Sequence, residues 1–544
     1  MTTTDLPRAR RDPGPDGDPA TAEQPAWREA LGRLGWRAPA VLVAGVLTAA
    51  GFAPLGWWPL TLLGVALLTV AVAEAPRRTF GLGYLFGLAF LGLTIGWVQV
   101  IALPVALALI AFESVVYGLL AVALRRLVRV PGWPLWAAAA WVAVEWVYSS
   151  VPFDGFGWSR LGYVMVDAPL AGAYPFLGVA GVSLLTALAG QAVAWLALRA
   201  TRLGTTWPRV PRRAVAAVLV ALLVGGGVTQ LLQGWQPAGE SAGSVTVGLV
   251  QGNVDGVGVN AMGRARTVTN NHLSETITLM ARARTGQVPE PDFVLWPENS
   301  TDIDPLLDVR TQRTVQLASM VADRPIQVGA VLSGPGEDER QTAALWWDPE
   351  QGVLDRMPKR DLVPFGEYIP LRSVLLPLVP MLQLVGAQSV AGTTDGVMRV
   401  PLGGRELAVG TLICFEVAYD ATVAETVRGG TELLVVQSNQ ATYGGTVEVP
   451  QQFAMTRVRA METRREIAVA TTSSASGFIA ADGTVLWQTA EFTADSHSAV
   501  MPLRTTITPA MRLGPWVSAL AAAAAVAALA VSLLRRRERP AARP

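Results

Sequence analysis

Three observations predict the fold class, a polytopic α-helical membrane domain joined to an α/β domain. Residues 38 to 233 form a series of apolar runs, each near the ~20 residues that a helix needs to cross ~30 Å of hydrocarbon, and another run follows at 516–534. From Gly243 to Arg504 charge rises and the apolar runs shorten to strand length between helical stretches, the pattern of a sheet covered by helices. The 544-residue composition agrees, because 51% hydrophobic and 16% charged residues are more apolar and less charged than a soluble globular chain.

Residues 1–36 are rich in Pro, Gly, Asp, Arg and Ala and lack periodic apolar residues, so they read as a disordered tail. No short apolar segment with a small-residue cleavage site follows, so a removable signal peptide is not expected. Seven spans are expected within 37–236, at about 38–53, 57–75, 79–101, 103–124, 133–149, 170–198 and 214–233. An eighth lies within 514–535, followed by a tail at 536–544. Arginines set the orientation, since short loops rich in Lys and Arg stay in the cytoplasm. Arg28, Arg33 and Arg37 precede the first span, Arg77 and Arg78 follow the second, Arg125, Arg126 and Arg129 the fourth, Arg199 to Arg213 the sixth, and Arg535 to Arg539 the eighth. Alternate loops carry little positive charge, which predicts cytoplasmic termini and an extracytoplasmic segment at about 240–508. Trp57, Trp58, Trp97, Trp133 and Trp158 fall near span ends, as an aromatic belt would. Glu113 and Glu145 fall inside spans, where a carboxyl is costly and either packs helices or serves function.

In the soluble segment, strands are predicted at Ser244–Val250, Phe293–Trp296, Ile326–Leu332, Leu407–Ile413, Leu433–Val436, Ile467–Ala470 and Phe478–Ala480, and helices at Arg264–Arg284, Asp308–Ala322, Asp420–Arg428 and Gln451–Thr463. The proline-broken apolar stretch Val374 to Val385 is too short to span a bilayer and reads either as core or as an arm dipping into the outer leaflet.

Net charge of +1 gives no reason to expect a nucleic-acid partner, and two histidines with one cysteine cannot supply a typical zinc site. No cofactor is expected. Cys414, the only cysteine, ends a predicted strand ahead of a helix capped by Asp420, a placement that exposes a nucleophile and favours thiolate. His272 and His497 are poorly placed as its base. Glu298 follows the Phe293–Trp296 strand and Pro297, at a strand's carboxyl end where sites form in α/β sheets. Lys359 precedes a loop shaped by proline and glycine. Taken alone, each has an ordinary explanation as a packing cysteine, a loop carboxylate and a solvated cation. Together they supply what acyl transfer needs: a nucleophile, a base and an oxyanion cation. A useful base requires Glu298 to be desolvated and raised above its ordinary pKa.

The Glu-Lys-Cys order resembles the nitrilase or carbon-nitrogen hydrolase superfamily. With the membrane segment, the chain closely resembles the bacterial apolipoprotein N-acyltransferase family over about 40–515. The motifs are Gly51-Phe-Ala-Pro54, Phe153-Asp-Gly-Phe-Gly-Trp158, Gly178-Val-Ala-Gly-Val-Ser183, Val250-Gln-Gly-Asn253, Trp296-Pro-Glu298, Lys359-Arg-Asp-Leu-Val-Pro-Phe-Gly-Glu367 and Ile413-Cys-Phe-Glu416. The resemblance implies a nitrilase-like αββα sandwich at 240–508 and an acyl chain passed from a phospholipid, typically phosphatidylethanolamine, through a Cys414 thioester to the α-amine of an S-diacylglyceryl cysteine on an apolipoprotein. Glu298 would be the general base, Lys359 the oxyanion cation and the Phe415 N–H a second donor. Glu367 and Glu416 would support Lys359 and the pocket, and Ser438, Asn439 and Tyr443 fall on the later pocket motif. The expected partners are the phospholipid, the apolipoprotein and the bilayer of the bacterial cytoplasmic membrane, and the expected state is a monomer. Departures from the family pattern are Met357 two residues before the lysine, Phe415 after the cysteine, Gln440 after Ser438-Asn439, Tyr443-Gly444 where Trp-Phe-Gly is common, and no tryptophan in 254–265. Two other readings are a membrane-anchored amidase that hands its thioester to water, and a non-catalytic lipoprotein-binding scaffold.

Overall fold

Apolar runs without nearby water satisfy their backbone only as helices, and the first part of the chain does so as α1 (Arg37–Ala49), α2 (Trp58–Ala73), α3 (Thr79–Thr94), α4 (Leu103–Leu127), α5 (Trp133–Tyr148) and α6 (Tyr174–Ala200). The computed structural model describes residues 35–73, 75, 79–200, 220, 224–237, 241–254, 256, 258, 263 and 265–537. Pro104 and Pro134 sit in the first turns of α4 and α5, where a missing N–H costs no helical hydrogen bond. The stretches Leu103–Leu127, Pro169–Arg199 and Trp516–Leu534 are each long and apolar enough to cross a membrane. The other expected spans are shorter as helices: α1 has 13 residues, and α2, α3 and α5 have 16 each. Only residues 220 and 224–232 of the expected seventh span are described as helical. The 1–36 and 536–544 tails and the arginines from Arg202 to Arg213 lie almost wholly outside the described residues.

The second part is a four-layer sandwich. One sheet runs in the order β13 (Asp495–Arg504), β1 (Ser241–Gln251), β2 (Phe293–Leu295), β3 (Ile326–Ser333), β4 (Glu339–Asp348) and β5 (Gly352–Pro358), with β6 (Gln388–Ser389) beside β4. The other runs β12 (Val485–Gln488), β11 (Gly477–Ile479), β10 (Ile467–Thr471), β9 (Leu433–Ser438), β8 (Arg405–Ile413) and β7 (Val397–Leu402). The strands β1, β2 and β3 are parallel, as are β8, β9 and β10. Buried on both faces, β2 and β10 are continuous runs of apolar or small residues, and β9 is apolar up to Gln437, as suits central parallel strands. Val247, Leu249, Phe293 and Leu295 meet Val409, Ile413, Val435 and Ala468 between the sheets. Outside the first sheet lie α7 (Thr267–Arg284) and α8 (Val309–Ala322), whose Leu279 and Val315 join a core with Val294 and Val328.

The second sheet's outer face is covered by α10 (Asp420–Arg428) and α11 (Glu448–Thr463), and that core is continuous with the apolar helical part. A short α9 (Arg372–Leu378) and a 3-10 turn (Pro380–Val385) form the proline-broken stretch, with α12 (Pro509–Leu513) and α13 (Trp516–Arg537) closing the chain. The core reading of that stretch is not met, since Val374 and Val379 within it are exposed. The expected strands and helices are present within a few residues. The strands β5, β7, β12 and β13 escape the sequence reading because they are edge strands with weak apolar runs, and β4, an interior strand, opens on the polar stretch 339–342 ahead of its buried run 343–347.

Candidate active site

Lys359 is the residue immediately after β5, and its ammonium is buried. Its Nζ donates to Glu298 Oε1 at 3.1 Å and to Glu367 Oε1 at 2.9 Å. One cation between two carboxylates satisfies the rule that buried charges are paired. Each carboxylate is held at its other oxygen: Glu298 Oε2 accepts from the Asn439 N–H at 2.8 Å, and Glu367 Oε2 from the Val363 N–H at 2.8 Å. Three separate strand ends and the loop after β5 thus fix one charge cluster.

Local structure places Glu298. Pro297 forces an extended exit from β2, and Trp296 is anchored by its Nε1 donating to Thr276 Oγ1 at 2.9 Å. On the neighbouring strand Gly329 lies so close that a Cβ there would sit 2.1 Å from the Pro297 carbonyl oxygen and 2.6 Å from Glu298 Cα. Only a residue without a side chain permits that approach.

Cys414 follows β8 and opens a 3-10 turn, Cys414–Ala418, with a left-handed φ of 54°. A non-glycine residue in that region is strained and persists where surrounding contacts over-determine it. Here Glu416, fully buried, supplies them: Oε2 accepts from the Ile413 N–H at 2.8 Å, and Oε1 from the N–H groups of Arg360 at 2.6 Å and Asp361 at 3.2 Å. Glu416 therefore ties the turn of Cys414 to the loop of Lys359. The Cys414 carbonyl accepts from Gln452 Nε2 at 3.1 Å.

Burial pushes the Cys414 thiol well up, and the Glu298 charge adds to this, while Lys359 and the Ser438 hydroxyl pull the other way. The expected thiolate bias is therefore reversed: desolvation outweighs the cation, and the helix whose N-terminus was to help begins at Asp420, beyond the 3-10 turn. Asp420 does not cap that helix either. Its carboxylate takes Arg160 Nη1 at 2.8 Å and Arg459 Nη2 at 2.8 Å. Burial opposes the Asp420 charge, but the two guanidiniums prevail and hold it below the usual carboxylate range. Glu298 is raised, first by burial and then by the Glu367 charge, against the pull of Lys359. Lys359 is held well above its ordinary value because its carboxylate partners outweigh the burial cost. Burial thus raises both the thiol and the carboxyl that stands with Lys359 beside it.

Of the other expected residues, Phe415 stacks under Trp158 with ring centroids 5.3 Å apart and against Phe156 at 5.1 Å, joining the turn to the loop after α5. Ser438 is buried beside the thiol, Asn439 holds Glu298, and Tyr443 packs edge-on to Trp97 at 5.0 Å. His272 and His497 lie elsewhere, against Trp296 and Trp487 respectively. Glu113 and Glu145 are buried within the helical part, where Glu145 Oε1 accepts from the Leu161 N–H at 2.8 Å. The sequence reading missed Gln440, Glu448 and Gln452 as members of the site. Glu448 and Gln452 stand four apart on α11, a spacing that puts them on one face, yet nothing in the residue types says that this polar face is buried.

Fold and cluster together define the class: a carbon-nitrogen-hydrolase-like sandwich, carrying a thiol beside a Glu–Lys pair, joined to apolar helices. Residues 44–192 match the apolipoprotein N-acyltransferase N-terminal domain and residues 294–509 match carbon-nitrogen hydrolase. The apolipoprotein N-acyltransferase of Mycolicibacterium smegmatis is 34% identical over 513 residues, covering 91% of this chain and 85% of that one. That of Nitrosomonas europaea is 29% identical over 490 residues, covering 84% and 90%. Among solved structures, an amidase from Nesterenkonia sp. aligns with a TM-score of 0.35 and 18% identity over 49% of this chain and 94% of that one. The chain belongs to the apolipoprotein N-acyltransferase family.

Proposed function

We infer that the protein moves a fatty acyl chain from a phospholipid, through a thioester on Cys414, to the α-amine of an S-diacylglyceryl cysteine at the start of an apolipoprotein. The observation that carries this is the buried Lys359, held between Glu298 and Glu367, beside the chain's one thiol at the end of β8. Glu298 takes the thiol proton as Sγ attacks the donor ester carbonyl, forming the C–S bond and driving a pair of electrons onto the carbonyl oxygen. Lys359 and the Phe415 N–H stabilise that oxyanion. Collapse breaks the ester C–O bond, and Glu298 returns its proton to the departing lysophospholipid oxygen. The acceptor's neutral amine then attacks the thioester carbonyl, Glu298 takes a proton from nitrogen, and the C–S bond breaks as the sulfur is reprotonated.

In this reading seven helices within 37–236 and an eighth within 514–535 cross the cytoplasmic membrane, with a catalytic domain at 240–508 outside, both termini inside and the chain a monomer. The arginine distribution and the three long apolar helices support it. Phosphatidylethanolamine as donor is the family's expectation.

Incubation of the purified full-length protein with phospholipid should raise its intact mass by one fatty acyl group, removable with hydroxylamine. Cys414→Ala should show no adduct, and Glu298→Gln should slow its formation by roughly 10²–10⁴-fold. An adduct that persists in Cys414→Ala would contradict the reading. Free fatty acid without N-acylated diacylglyceryl peptide would move the protein to the hydrolase alternative.

A further inference from the structure

Behind the cysteine turn lies a chain of buried amides that the reaction as written does not use. Gln452 Nε2 donates to the Cys414 carbonyl at 3.1 Å and to Ser438 Oγ at 3.1 Å. Gln452 Oε1 accepts from Gln440 Nε2 at 2.8 Å, and Gln440 Nε2 also reaches the two oxygens of Glu448 at 3.0 and 3.3 Å. Glu448, Gln440 and Gln452 are each 3% exposed and Ser438 is 1% exposed, so these groups are withdrawn from bulk solvent. The direction of the chain is forced. A carbonyl only accepts, so Gln452 must turn its NH₂ to Cys414 and its oxygen to Gln440. Gln440 must then present its NH₂, and the second N–H of that group needs an acceptor, which Glu448 supplies in either protonation state.

The consequence falls on the peptide between Cys414 and Phe415. A trans peptide is planar with C=O and N–H pointing opposite ways, so fixing the Cys414 carbonyl fixes the direction of the Phe415 N–H. We propose that Glu448 is a positioning residue for acyl transfer: as terminal acceptor of the Gln440–Gln452 relay it holds the Cys414–Phe415 peptide so that the Phe415 N–H meets the oxyanion. This rests on the assignment of that N–H as an oxyanion donor. The buried carboxyl is otherwise hard to account for, because the groups acting on it are Gln440 and the like charge of Glu491, and burial costs it heavily.

The test separates aiming from folding and from the reaction itself. With purified full-length protein and phospholipid, Glu448→Leu should slow formation of the Cys414 acyl adduct by on the order of 10–100-fold, the size expected of a misplaced catalytic group. Gln440→Leu, which cuts the relay at its middle, should do the same if Glu448→Leu does not fold. Glu448→Gln, which keeps an acceptor oxygen, should recover most of the lost rate. Alkylation of Cys414 by iodoacetamide uses no oxyanion donor and should be at least as fast in both leucine variants as in wild type. Leucine variants that acylate at the wild-type rate, or that lose alkylation and acylation together, would overturn the proposal. Absence of any adduct on the wild type would instead sink the acyl-enzyme reading on which it rests.

Discussion

Lys359 holds a balance that no single residue type encodes. Its ammonium lies between the carboxylates of Glu298 and Glu367 and pulls against the burial that raises both the Glu298 carboxyl and the Cys414 thiol. In the proposed reaction, proton transfer from Cys414 to Glu298 therefore accompanies attack. The same desolvation acts on His272, buried against Trp296, whose Nδ1 lies 2.7 Å from the Val268 carbonyl. Burial pulls its pKa down to about 4, with the Val268 hydrogen bond opposing. The unfolded chain then binds a proton near pH 6.5 while the folded chain resists it, so stability is full above 6.5 and falls as pH drops toward 4. The loss is on the order of 3 kcal/mol. Thermal melts in detergent should show that fall for wild type and a flatter profile for His272→Phe; equal slopes would remove His272 as the cause.

Among the elements, the close approach of β3 to the segment after β2 sets where Glu298, the proposed base, stands. Gly329→Ala would drive a methyl into the Pro297 carbonyl, and relief requires the Glu298 backbone to move. Overpacking of this kind costs about 1–3 kcal/mol, and the expected outcome is a lowered melting temperature with a larger fall in adduct formation than in binding of phospholipid. An unchanged acylation rate would show that the Glu298 position is not set there. A second junction acts on α6, which breaks at Gly178 with φ 66°. Glu462 of α11 accepts from the Val179 N–H at 3.0 Å at that break and takes Arg459 Nη1 at 2.5 Å, and Arg459 Nε donates to the Val417 carbonyl at 2.7 Å in the cysteine turn. The broken helix and the turn that carries Cys414 are thus tied to the same two side chains. Neither was legible as such, because Arg459 and Glu462 read as ordinary polar residues on a helix.

Over the whole molecule, the two parts share a core and a polar seam: Arg457 with Asp167, Trp158 Nε1 with Gln451 Oε1 at 2.7 Å, and Arg160 with Asp420. The proposed topology sets the seam at the outer membrane surface. In a Cys414→Ser background, a cysteine at exposed Glu337 should react with a membrane-impermeant maleimide in intact cells, and one at exposed Arg129 should react only after lysis. Reversed labelling would invert the orientation. The sequence by itself determined the apolar helical part, the alternating α/β segment and the order Glu298, Lys359, Cys414, because hydropathy, period and motif spacing are local properties of the chain. Only the tertiary structure decided that Lys359 is shared by two carboxylates, that the thiol is raised rather than lowered, that Asp420 serves Arg160 and Arg459 instead of a helix cap, and that Glu448 ends a relay to Cys414. Those depend on burial and on partners such as Asn439 and Glu298, which meet across 141 residues of chain, and neither burial of a polar face nor long-range contact leaves a periodic trace in sequence.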